Sequence, residues 1–238
     1  MNVSDRPLAV VTGAARGLGA NFARRLEGEG FEVARWDVAF AENDRAGDNR
    51  IVDVTNETEV EAAVTSFGRP IDLLVNNAGI NRPVGTFDLD VSLWQRILDV
   101  NLTGALICAR AAARTMRERG GAIVNIASIA GLVGFSAHSS VAYAASKGGL
   151  ISMTRALAIE WAQEGIAVNA VAPAMVETDL TKARLSAVDY REAILGRSPA
   201  HALVALDAVA DAVVYLASQP STAVSGQVIV VDGGWTAS

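Results

Sequence analysis

Short apolar runs alternate with longer stretches of helical spacing along the whole chain. L-A-V-V-T (8–12), E-V-A-R-W (32–36), I-D-L-L-V (71–75), A-I-V-N-I-A (122–127), I-A-V-N-A-V (166–171) and Q-V-I-V-V (227–231) are apolar enough to be strands covered on both faces. Between them, 18–29, 92–118, 142–163 and 207–218 carry helix-forming residues with no internal proline. The pieces at 39–49 and 56–67 each offer only a few turns of helix before the next strand. Residues 174–206 read as an irregular excursion with a helix over 180–195, a flap above the carboxyl edge of a sheet. The alternation predicts an α/β fold: a doubly wound parallel sheet of about seven strands in a three-layer α/β/α arrangement.

Composition narrows the picture. With 238 residues, 51% of them hydrophobic, the chain can bury one large core and is too short for two ordinary domains, so 1–238 is read as a single domain. A net charge of -6 with scattered arginines offers no basic stripe for nucleic acid. The single cysteine, Cys108, excludes an intrachain disulfide, leaves no Cys/His metal cluster and suits a reducing cytoplasm. No basic leader precedes an apolar run, and no uninterrupted apolar stretch approaches the roughly 18 residues that span a bilayer. A soluble cytoplasmic protein with no membrane partner is expected.

The first strand runs into T-G-A-A-R-G-L-G (12–19), with Gly13, Gly17 and Gly19 at the mouth of a helix. Glycines there let backbone approach a pyrophosphate, and the free N–H groups of the helix attract its charge. The spacing G-x3-G-x-G departs from G-x-G-x-x-G, and glycines in a strand-to-helix turn also have a purely structural use. Asp37 closes the second strand about 20 residues further on, where a carboxylate can hold both adenosine ribose hydroxyls and repel a 2′-phosphate. Alone, it would be a solvated aspartate at a strand end.

Y-A-A-S-K (143–147) places one of only two lysines four residues after a tyrosine. One helical turn separates them, so Tyr143 and Lys147 share a face. A free phenol has a pKa of about 10, and a fixed cation beside it favours the phenolate, making it usable as a proton carrier near neutrality. The competing reading is a surface pair with the lysine stem on the ring. Ser128 ends a strand where a hydroxyl can donate to a substrate oxygen, or simply cap a turn. His138 and His201, the only histidines, sit in no nucleophile motif.

Taken in order, T-G-A-A-R-G-L-G, V-D-V (52–54), N-N-A-G (76–79), Asn101 in D-V-N-L, Ser128, Y-A-A-S-K, N-A-V-A-P (169–173) and V-D-G-G (231–234) resemble the short-chain dehydrogenase/reductase family over almost the whole chain. The resemblance implies a Rossmann-like fold and a catalytic set of Asn101, Ser128, Tyr143 and Lys147. Asn101 would hold a water that relays protons, and Lys147 would also bind the nicotinamide ribose. It implies cofactor contacts from Gly13, Arg16, Gly17, Leu18 and Gly19, and from Asp37. Asp53 and Val54 would meet the adenine edge; Asn77, Ala78 and Gly79 the adenosine side. Pro173, Val176 and Thr178 would lie at the nicotinamide. Departures from the family pattern are Ala174 after the proline, a short segment over 38–70, and a longer Ser128-to-Tyr143 loop that brings His138 towards the substrate mouth.

The cofactor expected is NAD, with NADP possible because Arg16 is a residue that can meet a 2′-phosphate while Asp37 repels one. The function expected is interconversion of a secondary alcohol and a ketone, with Ile129, His138, Met175, Val176, Leu180 and Leu185 as a mostly apolar pocket wall. The alternatives are an NADPH-dependent biosynthetic ketoreductase of 3-oxoacyl type and a dinucleotide-binding regulatory protein without turnover. The family resemblance further implies a homotetramer.

Overall fold

Seven strands, β1 (Leu8–Thr12), β2 (Glu32–Asp37), β3 (Asp48–Ile51), β4 (Leu73–Asn76), β5 (Gly121–Ile126), β6 (Ile166–Pro173) and β7 (Val228–Val231), form one parallel sheet ordered β3-β2-β1-β4-β5-β6-β7. They belong to a computed structural model describing residues 6–237, apart from 43, 45, 46, 135–139 and 219–222, with Leu180 described by its backbone only. The chain winds outward from β1 to β3 and then returns to β4 on the other side of β1. The crossovers diverge at the carboxyl ends of β1 and β4, which opens a crevice there.

Alternation along each strand feeds two cores. On one face Trp36, Leu74 and Ile123 pack with α2 (Glu57–Thr65), α4 (Gly104–Met116) and α5 (Val141–Glu160) through Val60, Cys108, Met116 and Leu157. On the other, Val11, Val75 and Val124 meet α1 (Gly17–Gly28) and α8 (Leu206–Ala217) through Phe22, Leu26, Val213 and Leu216. Each fully buried large side chain contributes roughly 1.5–3 kcal/mol relative to exposure. The fully apolar strands of the sequence are those with helices on both faces, as parallel sheets require.

A polar line crosses the first core. Asn76 donates to Ala105 O at 3.0 Å and to Asn125 Oδ1 at 2.9 Å, and Asn125 donates to Thr154 Oγ1 at 2.9 Å. The amide donors of both asparagines are satisfied while Asn76 Oδ1 is left without a partner, and the fixed geometry ties α4 and α5 to the middle of the sheet.

Three sequence expectations are corrected. The helix expected over 39–49 is not there among the described residues; β3 occupies 48–51 instead. Its sequence D-N-R-I is polar because it is the sheet edge beside β2, only partly covered, so it lacks the apolar signature of the inner strands. The helix expected over 92–118 is divided into α3 (Val91–Leu98), a π-helical turn over Asp99–Thr103, and α4. The helix expected over 180–195 is two, α6 (Asp179–Leu185) and α7 (Val188–Leu195). The excursion that carries them is tied down by the Val176–Val204 bridge and by a small cluster of Ile129, Leu185, Ile194 and Trp235. Among the described residues no helix is long and apolar enough to cross a membrane.

Candidate active site

The crevice is a cavity of about 970 Å³ running along the carboxyl edge of the sheet from Asp37 and Asp53 to Ser128, Tyr143 and Arg184. At one end lies the glycine turn. Thr12 Oγ1 accepts from the backbone N–H groups of Asn77 and Ala78 at 3.0 Å each, while Asn77 Nδ2 donates back to Thr12 O at 2.9 Å and Gly13 O at 3.0 Å. This double clasp joins the ends of β1 and β4. Gly13 has φ +64°, and a Cβ there would come within 2.8 Å of Ala78 Cα, so only glycine fits. A Cβ at Gly19 would meet Gly13 O at 2.1 Å. Gly19 is buried against the turn, while Gly13, Arg16, Gly17 and Leu18 line the cavity.

Asp37 accepts from Ala15 N at 2.9 Å and Val38 N at 2.8 Å. A carboxylate has about four lone-pair sites, so capacity remains on the cavity side. Asp53, Val54, Asn77, Ala78 and Gly79 line the same end. Asp53 is held by Thr55 through its N–H at 2.9 Å and its hydroxyl at 2.8 Å. Pro173, Val176 and Thr178 line the roof. Thr178 caps α6 in a box with Thr181, and a Cβ on Gly17 would lie 3.6 Å from Thr178 Cβ, so α6 begins directly across from the glycine turn. The volume, the backbone that only glycine permits and the free carboxylate capacity at Asp37 fit an extended dinucleotide.

At the other end Tyr143 and Lys147 rise from the first turns of α5. Lys147 is buried, with 4% exposure, and its ammonium donates to Ile126 O, the last carbonyl of β5, at 2.6 Å. Its Nζ stands 5.6 Å from the centroid of the Tyr143 ring. Burial pulls the Lys147 pKa down to about 8. Tyr143 is half-buried, and desolvation pushes its phenol above the usual value; the Ser128 side chain and the Arg184 charge act in the opposite sense without overcoming it. Ser128 and Arg184 thus join Lys147, to which the sequence had pointed, as the groups around the phenol. Ser128 Oγ also accepts from Ala130 N at 3.1 Å.

Asn101 sits in the π-helical turn, buried and off the cavity wall. Its amide accepts from Ile80 N at 2.8 Å and donates to Ile80 O at 2.9 Å and Ser146 Oγ at 3.0 Å. Both donors are spent on fastening the 79–81 loop to α5. A Cβ at Gly79 would lie 3.3 Å from Asn101 Oδ1 and 3.6 Å from Lys147 Nζ, so the three are close neighbours.

Of the expected pocket wall, Ile129, Met175 and Val176 are in place. Leu185 is not: it is buried in the cluster beneath with Ile194 and Trp235. His138 and the Leu180 side chain lie outside the described residues. Wall residues that were missed include Val133, Arg184 and Trp235. The spacing of Thr178, Thr181 and Arg184, three apart and all on the cavity, carried the signal for Arg184. Among the described residues no group of three His, Cys, Asp or Glu could hold a metal. The Cys108 thiol is buried and pushed up to about 12, which makes it inert.

The family described as Enoyl-(Acyl carrier protein) reductase matches residues 13–236. The chain is 42% identical to cis-4-hydroxycyclohexanecarboxylate dehydrogenase of Sinomonas cyclohexanicum, over 97% of this chain and 96% of the relative. The chain belongs to the short-chain dehydrogenase/reductase family. It is 35% identical to the 3-oxoacyl-[acyl-carrier-protein] reductase of Synechocystis sp. (strain ATCC 27184 / PCC 6803 / Kazusa), over 98% of each chain. A solved gluconate 5-dehydrogenase from Burkholderia cenocepacia J2315, in complex with NADP and tartrate, superposes with a TM-score of 0.92 at 33% identity, over 98% of this chain and 96% of that one. As a short-chain dehydrogenase/reductase, the chain is an NAD(P)-dependent oxidoreductase, and its seven-stranded doubly wound sheet is that of its solved neighbour.

Burial of Lys147 has a stability signature. Its folded pKa of about 8 lies below the ordinary 10.5, so the unfolded chain binds the extra proton between those values and stability rises with pH across that window. Relative to Lys147→Met, the unfolding free energy of the unaltered protein should rise by about 3 kcal/mol from pH 8 to 10.5, read from urea titrations at several pH values. A pH-independent difference would show that the ammonium is not desolvated.

Proposed function

We propose that the protein interconverts a secondary alcohol and a ketone, with Tyr143 as the proton carrier and NAD as the preferred dinucleotide. The observation that carries this reading is the convergence of Tyr143, Ser128 and Lys147 on one end of a cavity whose other end is the glycine turn and Asp37. A bound nicotinamide supplies the hydride acceptor or donor. In reduction Tyr143 gives its phenolic proton to the carbonyl oxygen, and in oxidation it takes the proton of the hydroxyl. The phenol is protonated at neutral pH as an ordinary tyrosine is, burial raises its pKa further, and it is ready for the first of these. Ser128 donates to the same oxygen and steadies its developing charge. Lys147, held by Ile126 O, anchors the ribose and restores the proton to Tyr143, with Asn101 supporting the relay through the 79–81 loop.

Preference for NAD rests on Asp37, whose free lone pairs suit two ribose hydroxyls and whose charge opposes a phosphate; Arg16, exposed on the same wall, turns to solvent. Residues 1–238 work as one domain, with 174–206 as the substrate flap. The protein acts in the cytoplasm as a homotetramer. Support for assembly is β7, an edge strand whose Val228, Ile229 and Val230 are all incompletely covered, together with exposed Tyr215 on α8 and Ile159 on α5.

Replacing Tyr143 by Phe keeps the shape and removes the transferable proton, so kcat on a ketone panel should fall at least 100-fold with cofactor binding retained; near-normal turnover refutes the assignment. NADH should exceed NADPH in kcat/KM by tenfold or more, with Asp37→Ser narrowing the gap, and a tenfold preference for NADPH overturns the cofactor reading. Light scattering on an eluting peak should return four chain masses; a monomer at micromolar concentration removes the tetramer.

A further inference from the structure

Arg184 lines the catalytic end of the cavity and has no contact assigned to it in the reaction just described. It projects from the last turn of α6 into the wall shared with Tyr143, Ser128, Met175 and Trp235. Its side chain is half-buried, and Nη1 is wholly shielded from solvent with no hydrogen-bond partner. Among the described residues it forms no ion pair, whereas its flap neighbour Arg191 is matched by Glu177 at 3.4 Å. Its charge lowers both the Tyr143 and the Tyr190 phenols, in keeping with its place on the catalytic end of the cavity. A guanidinium donor withdrawn from water and left unmatched is destabilising unless something fills it, and the group that matches its planar fork is a carboxylate or another oxyanion.

We propose that Arg184 is a substrate-binding residue that pairs with an anionic group, so that the substrate is an oxo or hydroxy acid whose carboxylate lies across an apolar spacer from the reacting carbon. This rests on the alcohol/ketone reading of the same site. The spacer follows from the wall: Ile129, Val133 and Met175 present apolar side chains to the cavity that Ser128, Tyr143 and Arg184 also line. Other cations on the cavity are otherwise placed. Lys147 donates a hydrogen bond to Ile126 O, and Arg16 belongs to the glycine turn. Arg96 lines the cavity from α3, exposed to solvent. The one carboxylate of α6 on the cavity, Asp179, stands at the opposite end of that helix.

Two measurements test the proposal. With NADH, 4-oxocyclohexanecarboxylate should exceed its methyl ester in kcat/KM by at least 30-fold. Arg184→Gln should collapse that ratio to within threefold, chiefly through KM for the acid, with KM for NADH unmoved; Arg184→Lys should recover part of it and Arg96→Gln should leave it standing. Equal use of acid and ester by the unaltered protein, loss of the ratio in Arg96→Gln, or a rise in KM for NADH in Arg184→Gln each overturns the assignment. Calorimetric titration of cyclohexanecarboxylate, which has no reacting oxygen, into the protein with NADH reports on Arg184 without turnover. Saturable binding weakened at least tenfold by Arg184→Gln upholds the site even if no ketone is reduced, in which case the alcohol/ketone reading alone has failed. Absent binding, or binding that Arg184→Gln does not weaken, overturns the proposal.

Discussion

A charged ammonium held out of water beside the end of β5 is the constraint around which this site is organised. Lys147 reaches the Ile126 carbonyl only because α5 runs hard against the short 3₁₀ turn over Ile129–Gly131, where a Cβ on Gly131 would come within 2.7 Å of the Lys147 backbone. That contact draws Ser128, at the start of the turn, towards Tyr143, on the same helix as the lysine. The Asn76, Asn125 and Thr154 line then fixes the rest of α5 to the sheet, so the catalytic end inherits the rigidity of the core. A charged group whose burial costs stability is retained beside the centre of the sheet, the usual sign that it serves chemistry.

Most of the architecture was legible because parallel strands covered on both faces leave an unmistakable apolar record, and six of the seven strands carry it. The seventh, β3, is invisible for the same reason turned around: an edge strand needs no second apolar face, and D-N-R-I satisfies its sheet bonds with backbone alone. The division of the long helix at Asp99–Thr103 was equally hidden. Nothing in D-V-N-L-T breaks a helix; the wider turn coincides with the close approach at Gly104, where a Cβ would meet Val54 Cγ2 at 2.8 Å.

The site was legible in a different way. Motif order placed Gly13, Asp37, Ser128, Tyr143 and Lys147 on one cavity, yet spacing could not say which neighbour would act on which. Lys147 was expected to bear on the phenol and stands 5.6 Å from its ring centroid, and Ser128 and Arg184, the latter thirty-seven positions beyond the lysine in the flap, add influences that lower it. Asn77 was expected at the ligand, and its amide instead clasps the glycine turn while its edge lines the cavity. Such pairings depend on where separate segments meet in space, which a one-dimensional pattern does not record.

Helix α6 has a mechanical implication. At about 1.5 Å per residue its seven residues span roughly 10 Å, beginning opposite Gly17 and ending beside Tyr143. One short rigid rod therefore borders both compartments of the cleft. Because it borders both, a displacement of its first turn by whatever fills one compartment would carry Arg184, on its last turn, across the other.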